Sequence, residues 1–218
     1  MQKIGFCDKY SLTQAVLNGT KTMTRRVEKG LETFEFDYEV HFVHSMEIIN
    51  QYWDEEKNSL VIITPQGKMK VPTRYKLGEV VAVAQSYKDV INTGYDLIEK
   101  RNLREKLENE LGLIMLEYAK GWNNKLFVKP DLMPHQIQMT DVSIERLKAI
   151  SDDDCFKEGV LTNQFGDYWF KGFPPQKVVA SMTPREAFAL LIDRPGVGRK
   201  GLWESNPFSV VYEFQLVK

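Results

Sequence analysis

Apolar and polar residues alternate along residues 34 to 42, where Phe34, Phe36, Tyr38, Val40 and Phe42 are separated by Glu35, Asp37, Glu39 and His41. Successive side chains of a strand point to opposite faces, so the pattern predicts one half-buried strand. The end of the chain repeats it, with Phe208, Val210, Tyr212, Phe214 and Leu216 set between Ser209, Val211, Glu213, Gln215 and Val217. Strand-forming runs at 59–64 and 68–71 flank Pro65-Gln66-Gly67, a turn that makes them a hairpin. Further strands are predicted after the Leu77-Gly78-Glu79 turn, at 125–128, and through Ile137, Met139, Val142 and Ile144.

The helical period is rarer. Leu97, Leu103, Leu107, Leu111, Ile114 and Met115 recur at helical spacings between Asp96 and Lys120, predicting a charged helix that ends before Gly121. Ser11-Leu12-Thr13-Gln14 has the form of a capping box opening a short helix to Asn18, and Thr183-Pro184-Arg185-Glu186 has it again, with proline at the first helical position. Ser151 followed by three aspartates caps a helix that stops at Gly159. Many strands, few short helices and no strand-helix-strand rhythm give an α+β class. The architecture expected is a mixed, mostly antiparallel β-barrel with short flanking helices and a helical insertion.

Composition narrows the function. At 43% hydrophobic over 218 residues the chain can bury a full core, and a net charge of -1 supplies no global field for nucleic acid, so any phosphate contact must come from a local patch. Cys7 and Cys155 form no zinc or disulfide pattern. No metal and no cofactor is expected. The start of the chain lacks the apolar run of a signal peptide and no stretch approaches a membrane span, so a cytoplasmic protein without membrane contact is expected.

The densest chemistry lies at residues 20 to 26, Thr-Lys-Thr-Met-Thr-Arg-Arg, which place three hydroxyls, one amine and two guanidiniums just after Gly19. Lys21, Thr22, Thr24, Arg25 and Arg26 suit an anionic or nucleotide-like ligand. A threonine hydroxyl is a weak nucleophile until a base takes its proton. A lysine serves as that base only if burial or neighbouring cations lower its pKa from ~10.4. Residues 21 and 24 point to opposite faces of a regular strand, so a shared site requires a turn or bulge between them.

The order of Gly19-Thr20-Lys21-Thr22-Met23-Thr24-Arg25-Arg26, then Tyr75-Lys76-Leu77-Gly78-Glu79-Val80-Val81, then Val142 to Ile150 leading into Lys157-Glu158-Gly159, resembles the ASCH domain family. Longer, phage-associated members are also similar at Asn124 to Val128, at Leu132-Met133-Pro134-His135 and at Trp203 to Phe208. The resemblance implies one PUA-like barrel domain over 1–218, with insertions at about 34–75, 89–123 and 161–182. It implies binding of RNA or a modified nucleoside in a cleft lined by Thr22, Arg25, Arg26 and His135. In small members that cleave the amide of acetylcytidine, the matching positions are Lys21, Thr24 and Glu158. Such relatives often carry Arg-Glu where this chain has Ala84-Gln85, so part of their polar cleft is missing here.

Three functions follow as expectations. The first is RNA or nucleotide binding through the basic stretch, joined by Arg74 and Lys76. The second is an amidohydrolase using Lys21, Thr24 and Glu158. The third is a phage-encoded adaptor, favoured if the 96–120 helix exposes Leu107, Leu111 and Ile114 together.

Overall fold

The computed structural model describes residues 1–28, 33–36, 39–42, 47–94, 96–171 and 183–217, the strands at 33–42 in their backbone alone. In chain order the elements are β1 (Lys3–Ile4), α1 (Leu12–Leu17), β2 (Met23–Arg26), β3 (Thr33–Phe36), β4 (Glu39–Phe42), β5 (Asn50–Asp54), β6 (Ser59–Thr64), β7 (Gly67–Val71) and β8 (Val80–Val83). There follow α2 (Tyr87–Asn92), α3 (Leu97–Leu111), β9 (Gln136–Arg146), α4 (Asp152–Lys157), β10 (Leu161–Thr162), β11 (Tyr168–Trp169), α5 (Pro184–Ile192), α6 (Leu202–Ser205) and β12 (Phe208–Leu216). No helix among the described residues is long and apolar enough to cross a membrane.

The chain divides into two compact units, one of residues 1–6, 80–138 and 216–218, the other of 7–79 and 139–215. In the first, β1 runs parallel to β8, and β8 pairs antiparallel with the first residues of β9, Val81 opposite Ile137. Its core gathers Ala82, Tyr87, Val90, Leu107, Leu116, Val128 and Met133. Tyr87 fits there because Gly121 has no side chain: a Cβ on Gly121 would stand 2.5 Å from the Tyr87 ring and 3.1 Å from a Val128 methyl. Gly121→Ala is therefore expected to destabilise the protein by roughly 1–3 kcal/mol, seen as a lower urea midpoint at unchanged slope.

In the second unit β5, β6 and β7 form an antiparallel sheet whose central strand buries Leu60 and Ile62. The β6–β7 hairpin turns at Pro65-Gln66, with Thr64 opposite Gly67, as the sequence predicts. β12 pairs antiparallel with β2, Tyr212 opposite Thr24 and Val211 opposite Arg25. Residues 208 to 212 are all buried, on both faces of β12, an interior strand lying between β9 and β2. The Tyr212 ring meets Tyr75 edge-on at 5.3 Å. Its hydroxyl accepts the Arg74 N–H and donates to Glu28.

Several expectations are corrected. The closed PUA-like barrel is not formed: among the described residues the strands fall into sheets of order β1-β8-β9-β12-β2, β5-β6-β7, β3-β4 and β10-β11, none of them closed. Both end strands are short, two residues in β1 and four in β2, and β5 to β7 make their own sheet instead of extending this one. The single strand over 34–42 is instead an antiparallel hairpin of β3 and β4, with Phe36 opposite Glu39. Its residues 37 and 38, like 172–182 of the third insertion, lie outside the described residues.

Residues 125–127 form a 3-10 turn, not a strand, with the Asn124 side chain accepting the Leu126 N–H. The 96–120 helix stops at Leu111, because Gly112 takes the left-handed conformation (φ 64°) that closes a helix. Leu107 is buried and Leu111 packs against the core while Ile114 is exposed, so the three do not form one exposed patch. Ser11 heads α1 without a side-chain cap, since it also ends the 3-10 turn at Asp8–Tyr10 with φ at 54°. The Thr183 capping box forms in full.

Candidate functional site

Gly19 (φ 71°) turns the chain after α1, and the Thr20 and Lys21 N–H groups both donate to the Ala15 carbonyl. Lys21 thus lies in a loop ahead of β2, where strand alternation does not govern its side chain. The Thr22 N–H donates to the Lys157 carbonyl at the end of α4, which fastens this loop to that helix. Gly159 (φ 102°) lets the chain pass close by; a Cβ there would stand 3.8 Å from that of Lys21.

Glu158 follows α4 directly, and its carboxylate Oε2 lies 2.5 Å from the Lys21 Nζ. The same ammonium donates to the Met23 carbonyl at 2.7 Å and to the Glu158 carbonyl at 2.9 Å. Three acceptors match the three N–H bonds of a protonated lysine. Lys21 is 2% exposed and Glu158 4%. Burial pulls the Lys21 pKa below its ordinary value; Glu158 opposes that pull, and Arg26 and Arg25 add to it. The two residues, 137 positions apart, form one buried ion pair.

Arg25 anchors the other side of this carboxylate. Its Nη1 lies 3.4 Å from Glu158 Oε1, its Nε donates to Glu145 at 2.7 Å, and its Nη2 donates to Asp154 at 3.0 Å. Nη1 also reaches the Met23 sulfur at 2.9 Å, as alternation along β2 requires of residues on one face. Burial works against the guanidinium charge, but Glu158 and Glu145 together raise the Arg25 pKa above its usual value. Beyond Asp154, Lys157 bridges to Glu213 at 3.0 Å.

Thr24 lies on the opposite face of β2 from Arg25 and is 7% exposed. No hydrogen bond joins it to Lys21 or Glu158 among the described residues. Arg26 shares its face and is half-buried, as is Thr22. Arg25, expected to meet a ligand, is occupied by three carboxylates. His135 belongs to the other unit, where its Nδ1 lies 2.8 Å from Gln85 Oε1. A cavity of about 430 Å³ lined by Asp152, Thr183, Arg185, Glu186, Ala189 and Trp203 includes none of Lys21, Thr24 and Glu158.

Sequence reading missed Glu145 and Asp154 as partners of this cluster. Asp154 is one of the three helix-capping acids, and Glu145 sits near the end of β9; nothing in the spacing singles out either. Cys155 also lies within reach of it, fully buried, with its thiol pushed up to about 12 by burial. Native protein treated with iodoacetamide is therefore expected to alkylate the half-buried Cys7 and to spare Cys155 until it unfolds, as peptide mass mapping would read. Among the described residues no group of His, Cys, Asp and Glu could hold a metal ion. Compared with protein-family models, curated proteins and solved structures, the chain matches none.

Proposed function

We propose that this chain hydrolyses the amide bond of an acylated nucleoside, with Thr24 as nucleophile, Lys21 as its base and Glu158 as the carboxylate that positions the Lys21 amine. The observation that carries the reading is the 2.5 Å contact between Lys21 and Glu158, both buried, at the start of the strand that holds Thr24. The nucleoside rests on the ASCH resemblance of the Gly19 to Arg26 segment.

Burial lowers the Lys21 pKa, so its amine sheds a proton more readily than an exposed lysine does and stands neutral beside Met23 in the reacting form. That amine takes the Thr24 hydroxyl proton as the oxygen attacks the acyl carbon. The carbon-nitrogen bond breaks, and the proton goes to the departing amine. Water then attacks the Thr24 ester and gives a proton to Lys21, which passes it to the departing Thr24 oxygen, so that the carboxylic acid is released and the hydroxyl and the neutral amine are restored.

A second reading, nucleotide binding without turnover, is favoured by the exposure of Arg74 and the partial exposure of Arg26 and Lys76. Incubation with a panel of acylated nucleosides, followed by mass spectrometry, separates the two. Acid release by the wild type supports hydrolysis. Binding of an unchanged nucleoside supports the second reading and rules out the first.

A further inference from the structure

The cavity of about 430 Å³ is lined from the first turns of α4 and α5 and from α6, all within the second unit. Its volume falls in the range of small-molecule sites, about 300–1,000 Å³. Trp203 supplies an aromatic wall that is fixed from behind. Its backbone N–H donates to Asp193 at 2.9 Å, and the Phe188 ring meets the indole edge-on at 6.2 Å. The Lys148 ammonium stands 5.9 Å from the same ring and pairs with Glu204, so it adds no free charge to the hollow. A wall held in this way costs a ligand little ordering on arrival.

Opposite charges line this hollow without meeting each other. Among the described residues Arg185 pairs with no carboxylate, and its guanidinium donates to the Lys148 carbonyl. Glu186 gives one carboxylate oxygen to the Thr183 N–H at 2.7 Å, within the capping box, and keeps the other. The Asp152 carboxylate, at the first position of α4, has no hydrogen-bond or ion-pair partner among the described residues. Asp152 and Arg185 nonetheless lie close enough for both to act on the buried Cys155 thiol, one raising its pKa and the other lowering it. A guanidinium fork takes a carboxylate through two parallel N–H donors, and a carboxylate takes an ammonium. A ligand that answers both ends of the cavity carries both charges itself. On a free α-amino acid they sit on one carbon, whereas within a peptide chain both are gone. The indole wall favours an aromatic side chain.

We infer that this cavity binds a free aromatic α-amino acid, its carboxylate on Arg185, its ammonium on Asp152 and Glu186, and its ring against Trp203. None of Lys21, Thr24 and Glu158 lines the cavity, so the inference stands or falls apart from the hydrolysis above. The test is a titration of the full chain with L-phenylalanine, with phenethylamine, which lacks the carboxylate, and with hydrocinnamate, which lacks the ammonium, read by NMR at the Trp203 indole N–H and the Arg185 Nε–H. L-phenylalanine is expected to shift both signals saturably, and each of the other two to bind at least about tenfold more weakly. Arg185→Gln, a change at an exposed position, is expected to weaken L-phenylalanine by about tenfold or more and to leave phenethylamine as it was. No shift with millimolar L-phenylalanine, either half-molecule binding as tightly as the whole, or an equal affinity for L-phenylalanine in Arg185→Gln overturns the inference.

Discussion

Lys21→Met lowers amide hydrolysis by about 100- to 10,000-fold, the usual contribution of a positioned base, in the expected outcome of the substitution. Met fills similar space without an amine, so Thr24 keeps its place on β2 and loses only its proton acceptor. Glu158 retains Arg25 at 3.4 Å, which holds its carboxylate in position. A thermal melt run beside the assay separates loss of chemistry from loss of fold, and full activity in a folded variant eliminates Lys21 as the base.

The same lysine gives the pH dependence a sign. Its pKa is lowered in the folded protein, so the folded state sheds this proton at a lower pH than the unfolded chain. The cost of burying the charge is present in full below the folded-state value. It is relieved as pH rises through the folded-state value toward the ordinary 10.5. The basic limb of activity is expected to rise over that same window, and Lys21→Met removes the limb.

Arg25→Met is expected to be the most destabilising single change at the site, by about 3–5 kcal/mol. The Arg25 side chain is 1% exposed and meets Glu158, Glu145 and Asp154, so its removal leaves three carboxylates facing one another around an apolar stem. For a chain of this size that corresponds to a fall in melting temperature of roughly 10 °C or more. Arg25→Lys is expected to recover little, because one ammonium cannot reproduce the fork that reaches Glu145 and Asp154 together. A melting temperature unchanged in Arg25→Met would show that the network carries no stability.

Local chemistry was legible in the sequence wherever a few adjacent residues decide the structure. The Thr183 box, the Ser151 cap and the Pro65-Gln66 turn all follow from residues within four positions. What depends on distant partners was not. Phe208 to Tyr212 alternate as a half-buried strand does, yet Ser209 and Val211 are buried with the rest, because other parts of the folded chain cover both faces of β12. The alternation at 34–42 reads as one strand, and the two short strands that form there instead pair Phe36 with Glu39, a break that a period-two pattern does not mark. The Lys21 and Glu158 positions were read from motif context. The burial of Arg25 was not, because a guanidinium in a basic run reads as solvent-facing until three acids from β9 and α4 are folded against it.

The central claim, that Thr24 is acylated with help from the buried Lys21–Glu158 pair, is tested most directly by acid-quenching the protein during incubation with an acetylated nucleoside and mapping its peptides by mass. The expected result is an acetyl group on the peptide bearing Thr24 in the wild type and none in Lys21→Met. Acid released with Thr24 never modified, or the same acetylation in both proteins, would contradict it.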